Sequence, residues 1–254
     1  MNRRSALRFL AGASLCSCGS PAMAWPGGDT PACANAPTIG GALTSKGCSV
    51  GNALPLEFIS KIKHSFLGEF KNNIVDGFYL THFWLANRSG VEPQVAFYDD
   101  GNQPNAFAVD ASVIDDKCSP DGTILFGSEL FKSEMKNFTM WQSSVTLIHA
   151  HEYAHILQFK RRMKSTVTVR RELHADFLGG WFCGQMSLDR RTGGIDSMTA
   201  AKSIYNKGNY AFNDPNFHGT PEQRMQWVLS GYQHGVAGTK LEDAYNNSAS
   251  VLGV

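Results

Sequence analysis

WQSSVTLIHAHEYAHILQFK, residues 141–160, runs without glycine or proline, is apolar at half of its positions, and carries three histidines and a glutamate between positions 149 and 155. Its length and composition predict one long helix, and Lys160, Arg161 and Arg162 at its end suit the negative pole of a helix dipole. Within HEYAH, His151 and His155 are four residues apart and therefore lie one above the other on a single helix face. Two imidazoles so placed can share one zinc ion, which in a catalytic site takes three protein ligands and leaves a fourth position to water. Glu152, about 100° round the helix from His151, is placed to take a proton from that water rather than to bind the metal. His149 lies about 200° from His151 on the far side, as does His174 from Glu172, so neither is expected among the ligands.

With 8 histidines in the chain, chance alone yields an H-E-x-x-H pattern in about one of a hundred such sequences. The motif therefore needs a partner. RRELHADFLGGW, residues 170–181, supplies one: Glu172 and Asp176 form E-x-x-x-D on a second predicted helix, again on one face. Glu172 is the candidate third ligand. Asp176 can accept a hydrogen bond from the free ring nitrogen of His151 and so fix the tautomer of that imidazole. A solvated helix face would explain Arg170, Arg171 and Glu172, but not an acid set within Ala175, Phe177, Leu178, Gly179, Gly180 and Trp181. Ala175, Gly179 and Gly180 fit a helix packed closely against the HEYAH helix.

Working outward, residues 54–70 repeat Leu56, Ile59, Ile62, Phe66 and Phe70 at helical spacing. Residues 95–98 and 105–109 read as short strands about an Asp-Asp-Gly-Asn turn, and residues 122–126 as a third. Beyond the two central helices, residues 200–207 and 221–232 read as helices, the latter with Thr220 as N-cap and Pro221 at its first position. The order is helix, small sheet, helices, which predicts an α+β domain over residues 54–254.

The 254 residues are 43% hydrophobic with a formal net charge of +1, enough apolar matter for one substantial core. The charge points to no nucleic acid or anionic lipid partner. Residues 1–24 open with Arg3, Arg4 and Arg8, continue through a short apolar stretch and end in Ala-Met-Ala, the pattern of a bacterial secretory signal peptide. The paired arginines also suit twin-arginine export, and Leu15 to Cys18 resembles a lipobox that would lipidate Cys18. Residues 25–53 are Gly-, Pro- and Ala-rich and predict a loop-like extension. In an oxidising envelope Cys33, Cys48, Cys118 and Cys183 are disulfide candidates, Cys33 with Cys48 the first pairing and Cys118 with Cys183 the second.

HEYAH followed by Glu172-Leu-His-Ala-Asp176 resembles the gluzincin zinc metallopeptidases. Residues 95–108 (VAFYDDGNQPNAFA) and 122–126 (GTILF) resemble the strand pair ahead of the zinc helix in the group of CAAX prenyl proteases and heat-shock membrane proteases. HGTPEQR, residues 218–224, resembles a late element of that group and also matches the bacterial neutral zinc metallopeptidases. The resemblance spans residues 92–232 and departs from the first group at Gly219, where that group has proline, and in lacking its transmembrane helices. It implies a small, mostly antiparallel sheet packed on an active-site helix, followed by a helical subdomain. It also implies one zinc ion per chain on His151, His155 and Glu172, with Glu152 as general base. His218 and Arg224 would flank the substrate and steady the oxyanion. Asn105, Ala106, Phe107 and Ala108 would bind a peptide as an added strand. The expected activity is zinc-dependent hydrolysis of peptide bonds in a peptide or unfolded protein, after export to the periplasm or cell envelope, with secretion from the cell as the alternative. The alternatives are a zinc-stabilised binding module without turnover and a globular protein with a chance motif.

Overall fold

The structure is a computed structural model that describes residues 66–110, 121–189, 192 and 194–254. Among these residues it is α+β and mostly helical. A 3-10 turn, Phe66–Glu69, precedes helix α1, Asn72–Ser89; strands β1 (Gln94–Tyr98), β2 (Ala106–Val109) and β3 (Thr123–Gly127) follow. Six more helices complete the described chain: α2 Ser128–Asn137, α3 Trp141–Lys160, α4 Thr168–Leu188, α5 Ser197–Tyr205, α6 Pro221–Val236 and α7 Leu241–Leu252. The signal sequence, the extension 25–53, Cys18, Cys33, Cys48, Cys118 and most of the helix expected over 54–70 lie outside the described residues. The end of that predicted helix is the 3-10 turn, and the first long helix among the described residues begins at Asn72.

Strand order is β1-β3-β2, with β1 parallel and β2 antiparallel to β3. The sheet is thus mixed, not mostly antiparallel. A parallel pair needs a long crossover, and residues 99–122 provide it, with β2 inside it. Asp100 directs this path. Its carboxylate accepts from the backbone N–H groups of Asn105 at 3.2 Å, Glu129 at 2.8 Å and Leu130 at 2.9 Å. It therefore caps α2 and anchors the chain entering β2, while Gly127 donates to the Asn105 carbonyl at 2.9 Å. Tied there, β2 comes down the far side of β3 and does not close a hairpin on β1.

Helix α3 is buried on every side from Ser143 to Gln158, as a central helix must be. The sheet covers one flank of it through Ala108 and Ile124, and α4 covers another through Ala175, Leu178 and Phe182. A second, aromatic cluster of Phe66, Phe78, Phe97, Phe126 and Phe131 joins α1 and α2 to the sheet.

Helices α4 and α6 approach at backbone distance because glycines face each other. A Cβ at Gly231 would overlap the Phe177 carbonyl and stand 3.0 Å from the Trp181 nitrogen; one at Gly235 would stand 3.0 Å from the Gly184 Cα. Of the glycines expected to pack on the HEYAH helix, Gly179 does: a Cβ there would stand 3.3 Å from the His151 nitrogen. Gly180 instead meets α6 at the Val228 carbonyl. This second close approach brings Arg224, on the first turns of α6, under Asp176.

Candidate metal centre

Helix α3 presents His151 and His155 on one face, and α4 presents Glu172 opposite them. The two Nε2 atoms are 3.1 Å apart. Glu172 reaches both, with Oε2 3.4 Å from His151 Nε2 and Oε1 3.3 Å from His155 Nε2. All three residues are buried, 1–2% exposed, and one donor atom from each lies within 4.8 Å of the others. Among the described residues they form a group that could hold a metal ion.

Hydrogen bonding behind the ligands decides what those nitrogens offer. Asp176 Oδ1 is 2.9 Å from His151 Nδ1. Burial pushes the Asp176 carboxyl up, but the Arg224 guanidinium and the His151 contact outweigh it and hold it below the usual carboxylate range. An ionised carboxylate only accepts, so the ring proton of His151 sits on Nδ1. His155 Nδ1 is 2.9 Å from Gln158 Oε1, and the Gln158 amide is oriented by donation from Nε2 to the Arg171 carbonyl at 2.9 Å. Both imidazoles therefore carry their proton on Nδ1 and aim bare Nε2 lone pairs at one another across 3.1 Å. Without a cation between them that arrangement is repulsive. The donor set fits a metal ion, and neutral imidazole with carboxylate is what a borderline divalent cation binds.

Charge at the centre is balanced from one side by Arg224. Only 3% exposed, it donates to Asp176 through Nε and Nη2, each at 2.8 Å, and its Nη2 is 3.5 Å from Glu172 Oε2. Burial pushes the Glu172 carboxyl up, but its neighbours, His155 and His151 foremost, outweigh burial and keep it well below its ordinary value, as an ionised carboxylate. Arg224 thus sits behind the ligands and holds the two carboxylates.

His218 is buried, and burial draws its pKa down, a change opposed by the charge of Glu172. It ends the loop leading into α6, where Thr220 and Gln223 form a capping box and Pro221 opens the helix. Between them Gly219 has φ +107° and stands close under Leu173 and Arg224. Proline, locked near −65°, cannot take that conformation, so the departure at this position reflects the path of this loop. Glu152 is buried on α3 beside His151. Asn105 precedes β2 and is half-buried, and Ala106, Phe107 and Ala108 lie within it and are buried; β2 is an edge strand of the sheet.

His82 and His149 lie elsewhere. His149 stacks on Phe78 at 4.7 Å and contacts His82 at 3.3 Å, on the side of α3 away from Glu172. Cys183 is a free thiol in α4, and burial pushes it up to about 12. Of two side chains left out of the expected centre, Gln158 contacts His155 from behind and His174 contacts Gln158. The signal for Gln158 was its place three residues after His155, on the same helix face.

Comparison of the chain with protein-family models, with curated proteins and with solved structures finds no match.

Proposed function

We propose that the protein is an exported, zinc-dependent endopeptidase whose centre is His151, His155 and Glu172. The observation that carries this reading is the convergence of two bare Nε2 atoms and both Glu172 oxygens at 3.1, 3.3 and 3.4 Å. Tetrahedral ligands about 2.0–2.1 Å from a shared zinc stand about that far apart. Three protein donors are the complement of a catalytic site, which keeps one position open, whereas a structural zinc takes four. Zinc, when bound, supplies a Lewis acid that activates a water molecule and polarises the scissile carbonyl.

The side chains have separable tasks. Glu152, adjacent in sequence to His151, accepts the proton of the attacking water and returns it to the leaving amine. Asp176 holds His151 in the Nδ1–H tautomer. Arg224, committed to Asp176 and close to Glu172, positions the carboxylates. His218, buried near Glu172, is the remaining donor for the developing oxyanion. Strand β2 receives the substrate backbone, main chain to main chain. Export rests on residues 1–24, and the minimal gluzincin-like arrangement rests on the sheet and α4 flanking α3.

A second reading is favoured by one observation, the 1–2% exposure of His151, Glu152, His155 and Glu172. A sealed centre also suits a metal that stabilises a binding module. Glu152→Gln separates the two. In the peptidase reading the purified variant keeps its zinc and loses casein cleavage by about 100-fold or more, and chelation abolishes wild-type cleavage until zinc is restored. Wild-type cleavage in the variant would sink the mechanism. A wild type that binds zinc and cleaves nothing supports the second reading.

A further inference from the structure

Gln158 and His174 perform no step of the proposed reaction, yet both are buried and their hydrogen bonds admit one assignment. Gln158 has one end 2.9 Å from the Arg171 carbonyl and 3.1 Å from His174 Nδ1, and the other 2.9 Å from His155 Nδ1. A carbonyl only accepts, so the end facing Arg171 is the NH2 group. Its second hydrogen then points to His174 Nδ1, which must accept. The proton of His174 is left on Nε2, where it meets the Tyr245 carbonyl of α7 at 3.1 Å. At the far end Gln158 Oε1 accepts, so His155 must donate from Nδ1. Two backbone carbonyls, on α4 and α7, thus dictate the tautomer of a metal ligand two and three hydrogen bonds away.

Turning the amide over would set its oxygen against the Arg171 carbonyl and offer an N–H to His155 Nδ1. The proton of His155 would then move to Nε2, the atom that faces His151 and Glu172. Orientation of Gln158 and availability of His155 are therefore one variable. Tyr245 strengthens the far end: its ring meets His174 edge-on at 4.6 Å, and the Arg161 guanidinium lies 4.2 Å over that ring.

We infer that Gln158 and His174 are positioning residues, anchored on the C-terminal helix α7, that set metal affinity by holding His155 with Nε2 bare. The inference rests on the metal reading of His151, His155 and Glu172. It predicts that metal affinity depends on hydrogen bonds leading away from the centre into a helix that contributes no ligand.

The test is the zinc dissociation constant of the full chain, measured by competition with a chromophoric chelator. Gln158→Met, which keeps length and removes both ends of the amide, weakens zinc binding about 10- to 100-fold. Gln185→Met is the control, because Gln185 is also a buried amide on α4, bonded to the Gly235 carbonyl at 2.6 Å and to Arg88. It loses comparable hydrogen bonds and keeps wild-type affinity. If Gln158→Met does not fold, His174→Asn and His174→Leu replace it. Asparagine offers an oxygen where Nδ1 stands and preserves affinity, whereas leucine weakens it. Equal affinity in wild type and Gln158→Met, equal losses in Gln158→Met and Gln185→Met, or equal affinity in the two His174 variants would each overturn the inference. A wild type that binds no zinc would overturn the metal reading itself.

Discussion

Replacing Arg224 with methionine keeps much of the side-chain volume and removes the guanidinium from beneath the centre. Two hydrogen bonds of 2.8 Å to Asp176 and the 3.5 Å contact to Glu172 are lost together. The three residues are 3%, 0% and 1% exposed, so water does not replace the missing partner. Removing one member of a buried ion pair costs about 3–5 kcal/mol, because the remaining charge stays buried and uncompensated. That is a large fraction of the roughly 5–15 kcal/mol that stabilises a typical domain. Urea unfolding of the metal-free protein at pH 7 measures it directly. Adding Asp176→Asn to Arg224→Met removes the stranded charge while leaving an acceptor for His151, so part of the loss returns; the cycle of single and double variants isolates the pair. A cost below about 1 kcal/mol, the scale of an exposed pair, would refute the claim that Arg224 is a buried counter-charge.

Two further expectations concern packing and pH. Gly231→Ala places a methyl against the Phe177 carbonyl; it drives α6 from α4 and costs about 1–3 kcal/mol or more by overpacking, read as a lowered Tm, and it weakens zinc binding because Arg224 moves with α6. An unchanged Tm would mean that the helices are not in backbone contact. Burial holds His82 at about 4, so between its unfolded value near 6.5 and 4 the unfolded chain binds a proton that the folded chain does not. Stability therefore falls as pH drops through that window, by about 3 kcal/mol for a shift of that size, and His82→Gln makes the fall shallower. An identical pH profile in the variant would exclude His82 as its source.

Much of the centre was legible because it obeys helical geometry. The i, i+4 spacing in HEYAH and in Glu172 to Asp176 predicts two faces, and the structure brings those faces together with His151 against Asp176 at 2.9 Å. Other features depend on contacts distant in sequence. Helix α2 begins where β3 ends and takes its cap from Asp100, 30 residues upstream of Leu130, so no local start signal marks it. Helix α1 has apolar residues on more than one face, burying Phe78 and Leu85 while Leu80 and Phe83 are exposed, which blurs its period. Helix α7, residues LEDAYNNSASVL, buries mostly small side chains with Tyr245. The place of Arg224 follows from the glycine contact between α4 and α6, and strand order follows from the path that Asp100 imposes.

The central claim is tested most directly by the metal content of the purified full-length chain, measured as equivalents per chain by elemental mass spectrometry. The account predicts one zinc per chain in the wild type and in Glu152→Gln, and none retained in His155→Ala or Glu172→Ala that remain folded by circular dichroism. A folded wild type without stoichiometric metal, or undiminished zinc in both ligand variants, would contradict it.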